Sequence, residues 1–102
     1  MKTLNFNFNL KGLDGKDVVD SQTSQVINIG KTLANMLVGG GDKDIFKFYD
    51  WAMLIYSGSD ISVDDSDYKK IYDLIENGTQ LNVLYKAQIL RYMDTVKTNE
   101  NK

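Results

Sequence analysis

Apolar and polar residues change their spacing several times along the 102-residue chain, and each change marks a predicted element. Leu4, Phe6, Phe8 and Leu10 alternate with Asn5, Asn7 and Asn9, the period of a strand with one buried and one wet face. A strand over Thr3 to Lys11 follows. Asp14-Gly15 tolerates the positive φ of a tight turn, so Lys16 to Val19 is expected to return as a short second strand. Asn is depleted in strands, and three outward Asn residues read either as a solvated face or as an edge open to a partner. From Val26 the period becomes helical through Ile29, Leu33 and Met36/Leu37, with Ser24 as the expected N-cap and Gly39-Gly40-Gly41 as the stop and a mobile loop. Gly30 inside that helix costs ~1 kcal/mol relative to Ala and so marks a close helix contact.

Asp44 to Tyr56 is the most apolar stretch, with Asp42 or Asp44 as its cap. On a wheel of about 100° per residue, Ile45, Phe48, Tyr49, Ala52, Ile55 and Tyr56 form one broad face, which Phe46 and Met53 widen on one flank and Trp51 on the other. Lys43, Lys47 and Asp50 form a narrow polar strip that Leu54 interrupts. A helix apolar almost all round is central to a core or covered by a partner. Ser57-Gly58 ends it, and Ile61 to Val63 has the pattern of a short strand. Tyr68, Ile71, Tyr72 and Ile75 then give a helical face from Asp67 to Asn77, with Asp64, Asp65 and Asp67 at its start and Asn77-Gly78 as its stop. Thr79 is the expected cap of a last helix carrying Leu81, Tyr85, Ile89, Tyr92 and Val96 on one stripe and Leu84, Ala87 and Leu90 beside it. The predicted architecture is α+β, mainly helical: an N-terminal β-hairpin, with Ile61 to Val63 as an optional third strand, packed against four helices. Segregated strands and helices point away from a doubly wound parallel sheet. One compact domain over residues 1–97 with a frayed polar tail over 98–102 fits this length.

Composition narrows the function. The formal charge is −2, with eleven Lys and one Arg, so no strong positive field draws nucleic acid or anionic lipid. Cys and His are both absent, which removes disulfides, thiolate and imidazole ligands and most nucleophilic chemistry. No secretory leader pattern opens the chain, and no apolar run approaches the ~20 residues of a membrane span. A soluble, cytoplasmic, acidic protein is the expectation.

Acid–base chemistry would rest on carboxylates, Lys or Tyr, yet the twelve Asp stand mostly at turns and helix starts, where capping accounts for them. Asp60 to Asp67 fails as a calcium loop: counted from Asp60, Asp65 takes the place of the required Gly and Ile71 that of the bidentate Glu, and counted from Asp64 those places hold Lys69 and Ile75. The Asp64, Asp65 and Asp67 cluster remains as a weak metal or carboxylate-enzyme alternative. Gly30-Lys31-Thr32 ends like a P-loop, but Gln25 occupies the place of the motif's other glycine and no strand precedes it. A single-stranded nucleic-acid alternative would use Lys69, Lys70 and Lys86 with Tyr68, Tyr72 and Tyr85.

Leu4-Asn5-Phe6-Asn7-Phe8 with Asp14-Gly15-Lys16, Gly30-Lys31-Thr32-Leu33-Ala34, Phe48-Tyr49-Asp50-Trp51-Ala52 and Lys86-Ala87-Gln88-Ile89-Leu90 together resemble small proteins encoded by phages and prophages of low-GC bacteria. The resemblance implies an accessory or assembly role inside an infected cell and assigns no binding residues. The expected function is a non-catalytic protein-interaction or assembly module that binds a protein partner or a second copy, without cofactor or metal. Phe46, Lys47, Asp50, Trp51 and Leu54 are the candidate interface, with Trp51 as its anchor.

Overall fold

The computed structural model describes residues 2–39, 44–79 and 81–100, with side chains in the last helix through Lys97. The element order is β1 (Lys2–Leu4), α1 (Ile29–Gly39), α2 (Ile45–Tyr56), β2 (Ile61–Val63), α3 (Asp65–Asn77) and α4 (Val83–Glu100). The class is α+β and mainly helical. The chain divides into two compact units, one made of residues 1–4 with 60–102 and the other of the continuous span 5–59.

In the first unit β1 and β2 pair antiparallel, Lys2 opposite Val63 and Leu4 opposite Ile61. Thr3 and Ser62 face out, and Leu4, Ile61 and Val63 face a core with Ile71, Ile75, Ile89 and Met93. The Asp64 side chain accepts from the Asp67 N–H at 2.7 Å and caps α3, as expected of that acidic run. Gly78 ends α3 in an extended conformation (φ −68°, ψ 147°), not a left-handed one. The cap of α4 is Asn82, whose Oδ1 accepts from the Tyr85 N–H at 3.2 Å; Thr79 lies one turn too early. The α4 backbone continues through Glu100, and Asn101 and Lys102 lie outside the described residues.

In the second unit the expected strand from Thr3 to Lys11 bends after Leu4. Asn5 Oδ1 accepts from the Asn7 N–H at 2.8 Å, and the Phe8 N–H turns back to the Phe6 carbonyl. Asn side chains compete for backbone groups in this way, which is why they weaken strands. Phe6 and Leu10 still point inwards, so the alternation survives without the ladder. The turn at Asp14-Gly15 is present, with Gly15 at φ 81° and the Gly12 N–H donating to the Lys16 carbonyl at 2.8 Å.

Beyond that turn, single antiparallel bridges join Lys11 to Asp17, Val19 to Val26 and Asn9 to Asn28. At their centre the Leu10 N–H donates to Ile27, Ile27 to Val18 and Val18 to Leu10, each at 2.9 Å. Three extended segments thus pair each with the other two, so that each central residue both donates to one neighbour and accepts from the other. Ser24 belongs to the turn between the last two segments, at φ 59°, and does not cap α1. That cap is Asn28, whose Oδ1 accepts from the Lys31 N–H at 3.1 Å.

Helices α1 and α2 pack closely against each other. A Cβ on Gly30 would stand 3.0 Å from the Phe6 carbonyl oxygen and 3.2 Å from that of Ile55, so the expected close helix contact is there. Ile29, Leu33, Met36 and Leu37 fill the core on the α1 side. The Gly40-Gly41 part of the expected glycine loop, with Asp42 and Lys43, lies outside the described residues.

Candidate protein interface

Helix α2 buries Phe48, Trp51, Ala52 and Ile55. Ala52 and the facing Gly30 and Ala34 are small, and two helices approach most closely where side chains are shortest. That choice rotates the helix relative to the face expected from the wheel. Ile45 (69% exposed), Phe46 (83%), Tyr49 (54%), Met53 (56%) and Tyr56 (53%) are left on one continuous outer arc. Met53 and Tyr56 also line a groove with Ala34 and Val38 of α1. The Lys31 ammonium stands 5.5 Å from the Tyr56 ring centre at one border of this arc.

Trp51 does not anchor a surface. It is 7% exposed, lies 5.5 Å from the Phe48 ring and is topped by the Lys47 ammonium at 5.7 Å from its ring centre. Of the remaining candidates, Phe46 belongs to the apolar arc, while Asp50, Leu54 and Lys47 follow one another on the adjoining exposed side. Ile45, Tyr49, Met53 and Tyr56 were missing from that set. The small-residue positions Gly30, Ala34 and Ala52 were the signal, since they mark the covered side and leave the opposite one free. Asp44 sits at the N-cap with its carbonyl accepting from the Phe48 N–H at 3.0 Å, but its side chain makes no cap hydrogen bond.

The arc has the spacing of a coiled-coil seam. Phe46, Tyr49, Met53 and Tyr56 follow one another at steps of three, four and three residues, the a and d positions of two heptads. This order reads the same in both directions. An antiparallel copy would set Phe46 opposite Tyr56 and Tyr49 opposite Met53, each a position meeting a d position.

The acidic run offers less. Asp64 serves as a cap, and Asp65 pairs with the Lys2 ammonium, which holds its carboxyl below the usual carboxylate range. Among the described residues no three His, Cys, Asp or Glu side chains are grouped to hold a metal ion. The Lys/Tyr patch is divided: Tyr68, Lys69 and Tyr72 line one groove, the Lys86 ammonium donates instead to the Glu76 carbonyl, and Tyr68 is buried with its hydroxyl donating to Met93 at 2.6 Å. Among the described residues no helix is long and apolar enough to cross a membrane. No family model, curated protein or solved structure matches the chain.

Proposed function

We propose that the protein is a non-catalytic interaction module whose outer α2 face docks a helix, and that a second copy of the chain is its first occupant. The observation that carries this is the exposed heptad Phe46, Tyr49, Met53, Tyr56. Taken with Ile45 and Val38, its exposed area is roughly 600–700 Å² per copy, near the ~800 Å² each partner gives to a standard interface and above what most monomers leave bare. The palindromic spacing favours a two-fold, isologous pairing. The resemblance to phage and prophage proteins supports an accessory or assembly role in the cytoplasm of an infected bacterium.

Sedimentation equilibrium tests the reading with the native chain and a Tyr49→Glu variant. The native chain is expected to shift from monomer to dimer with concentration, and the variant to stay monomeric with an unchanged melting temperature, because residue 49 is exposed in the monomer. A native chain that is monomeric at millimolar concentration contradicts it.

A further inference from the structure

A second concave site lies in the first unit, bounded by β1, α3 and α4 and distant in kind from the α2 face. It encloses ≈ 420 Å³, within the range of about 300–1,000 Å³ typical of small-molecule pockets. Its charges run against those of the whole protein. Lys2, Lys69 and Lys97 line it against Asp65 and Asp94, a local excess of one positive charge on a chain of net charge −2.

The groups divide into committed and uncommitted sets. Asp65 is paired with Lys2, whose ammonium also stands 5.4 Å from the Tyr68 ring centre. The Tyr68 hydroxyl is turned inwards to the Met93 carbonyl, and burial, with the Asp94 carboxylate acting in the same direction, keeps the Tyr72 hydroxyl protonated. The two rings stack with centres 6.2 Å apart and planes 28° from parallel. The Tyr68 ring is buried beneath Lys2 and Tyr72, so the half-buried Tyr72 is the ring that the groove presents. Lys69 and Lys97 form no hydrogen bond or ion pair with any described residue, Lys97 acting on Asp65 through its charge alone, and both ammonium groups border the groove.

We propose that this groove binds a small organic anion carrying a flat ring, of the nucleoside monophosphate kind, with Lys69 and Lys97 on the anionic group and the Tyr72 ring against the flat one. Ring stacking and an ammonium–phosphate contact are each too weak alone in water, and their combination within one cavity supplies selectivity.

Isothermal titration at low salt tests it with adenosine monophosphate, adenosine, inorganic phosphate and a ten-residue thymidine oligonucleotide. The nucleotide is expected to bind more tightly than either of its halves. The Lys69→Gln/Lys97→Gln variant, altered only at exposed positions, is expected to bind it about tenfold or more weakly, the scale of one lost charge-assisted hydrogen bond. Tyr72→Leu is expected to bring the nucleotide down to the affinity of phosphate alone. Absence of nucleotide binding, equal binding of phosphate, indifference to the lysine substitutions, or a clear preference for the oligonucleotide would each overturn the proposal.

Discussion

Tyr68 shows how one side chain ties two properties together. Burial holds its hydroxyl protonated and pushes its pKa up to about 12, with Asp94 and Tyr72 acting in the same direction. The group is neutral in the folded chain where it would already ionise in the unfolded one, so its contribution to stability is complete below pH 10 and is lost as pH rises towards 12. Ultraviolet titration of the phenolate should show Tyr68 as the last of the six tyrosines to ionise, and the final step should vanish in Tyr68→Phe. That variant also loses the bond to the Met93 carbonyl, at a cost of ~1 kcal/mol in denaturant unfolding. Gly30→Ala is a stricter test of packing. The added methyl meets backbone oxygens of Phe6 and Ile55 that cannot swing aside, and such overpacking costs about 1–3 kcal/mol against the ~1 kcal/mol that Ala gains in a helix. A net loss of stability is expected, and a gain would mean that the helices do not approach there. Gly30 was legible in the sequence because a glycine within helical period has no local reason to be there.

At the scale of elements, helical period located all four helices, and the errors fell at their starts. Ser24 and Thr79 are good capping residues by type, but each lies in a turn before its helix, and Asn28 and Asn82 do the capping. A cap is defined by where the chain leaves the extended conformation, and for α1 that point is set by the bridges of Val26 and Asn28 to distant segments. Local pattern does not carry that information. Asn28→Ala and Asn82→Ala should each lower stability by ~1 kcal/mol, while Thr79→Ala should stay within about 0.5 kcal/mol. The N-terminal strand was over-extended for a related reason. Alternation fixed which side chains of residues 4–10 point inwards, but Asn5 uses its side chain to bend the backbone. On α2 the wheel established the apolar girth without fixing the covered side, so Trp51 and Tyr49 exchanged roles.

For the whole molecule, Ile61 to Val63 joins the N-terminal strand as its pattern led one to expect, while the register that sets Lys2 opposite Val63 was not legible. Two three-residue strands carry almost no period, and their pairing spans the entire 5–59 unit in sequence. The chain therefore leaves β1, builds that unit, and returns to β2 opposite the point it left, Leu4 facing Ile61. The α2 face is part of the inserted unit, and its exposed heptad is the feature that the α1–α2 packing leaves over. Mg²⁺ is expected to leave the melting temperature unchanged both in the native chain and in the Asp64→Asn/Asp67→Asn variant, because the Asp64 carboxylate works as a helix cap, and a shift in the native chain that the variant loses would contradict this.

The absence of cysteine makes the central claim open to a background-free measurement. Chains carrying Tyr49→Cys, mixed with chains carrying Met53→Cys and oxidised, should form a covalent heterodimer much faster than Tyr49→Cys chains mixed with Asp73→Cys chains, because antiparallel α2 helices bring residues 49 and 53 face to face. Equal rates in the two mixtures would contradict the pairing of α2 with a second copy.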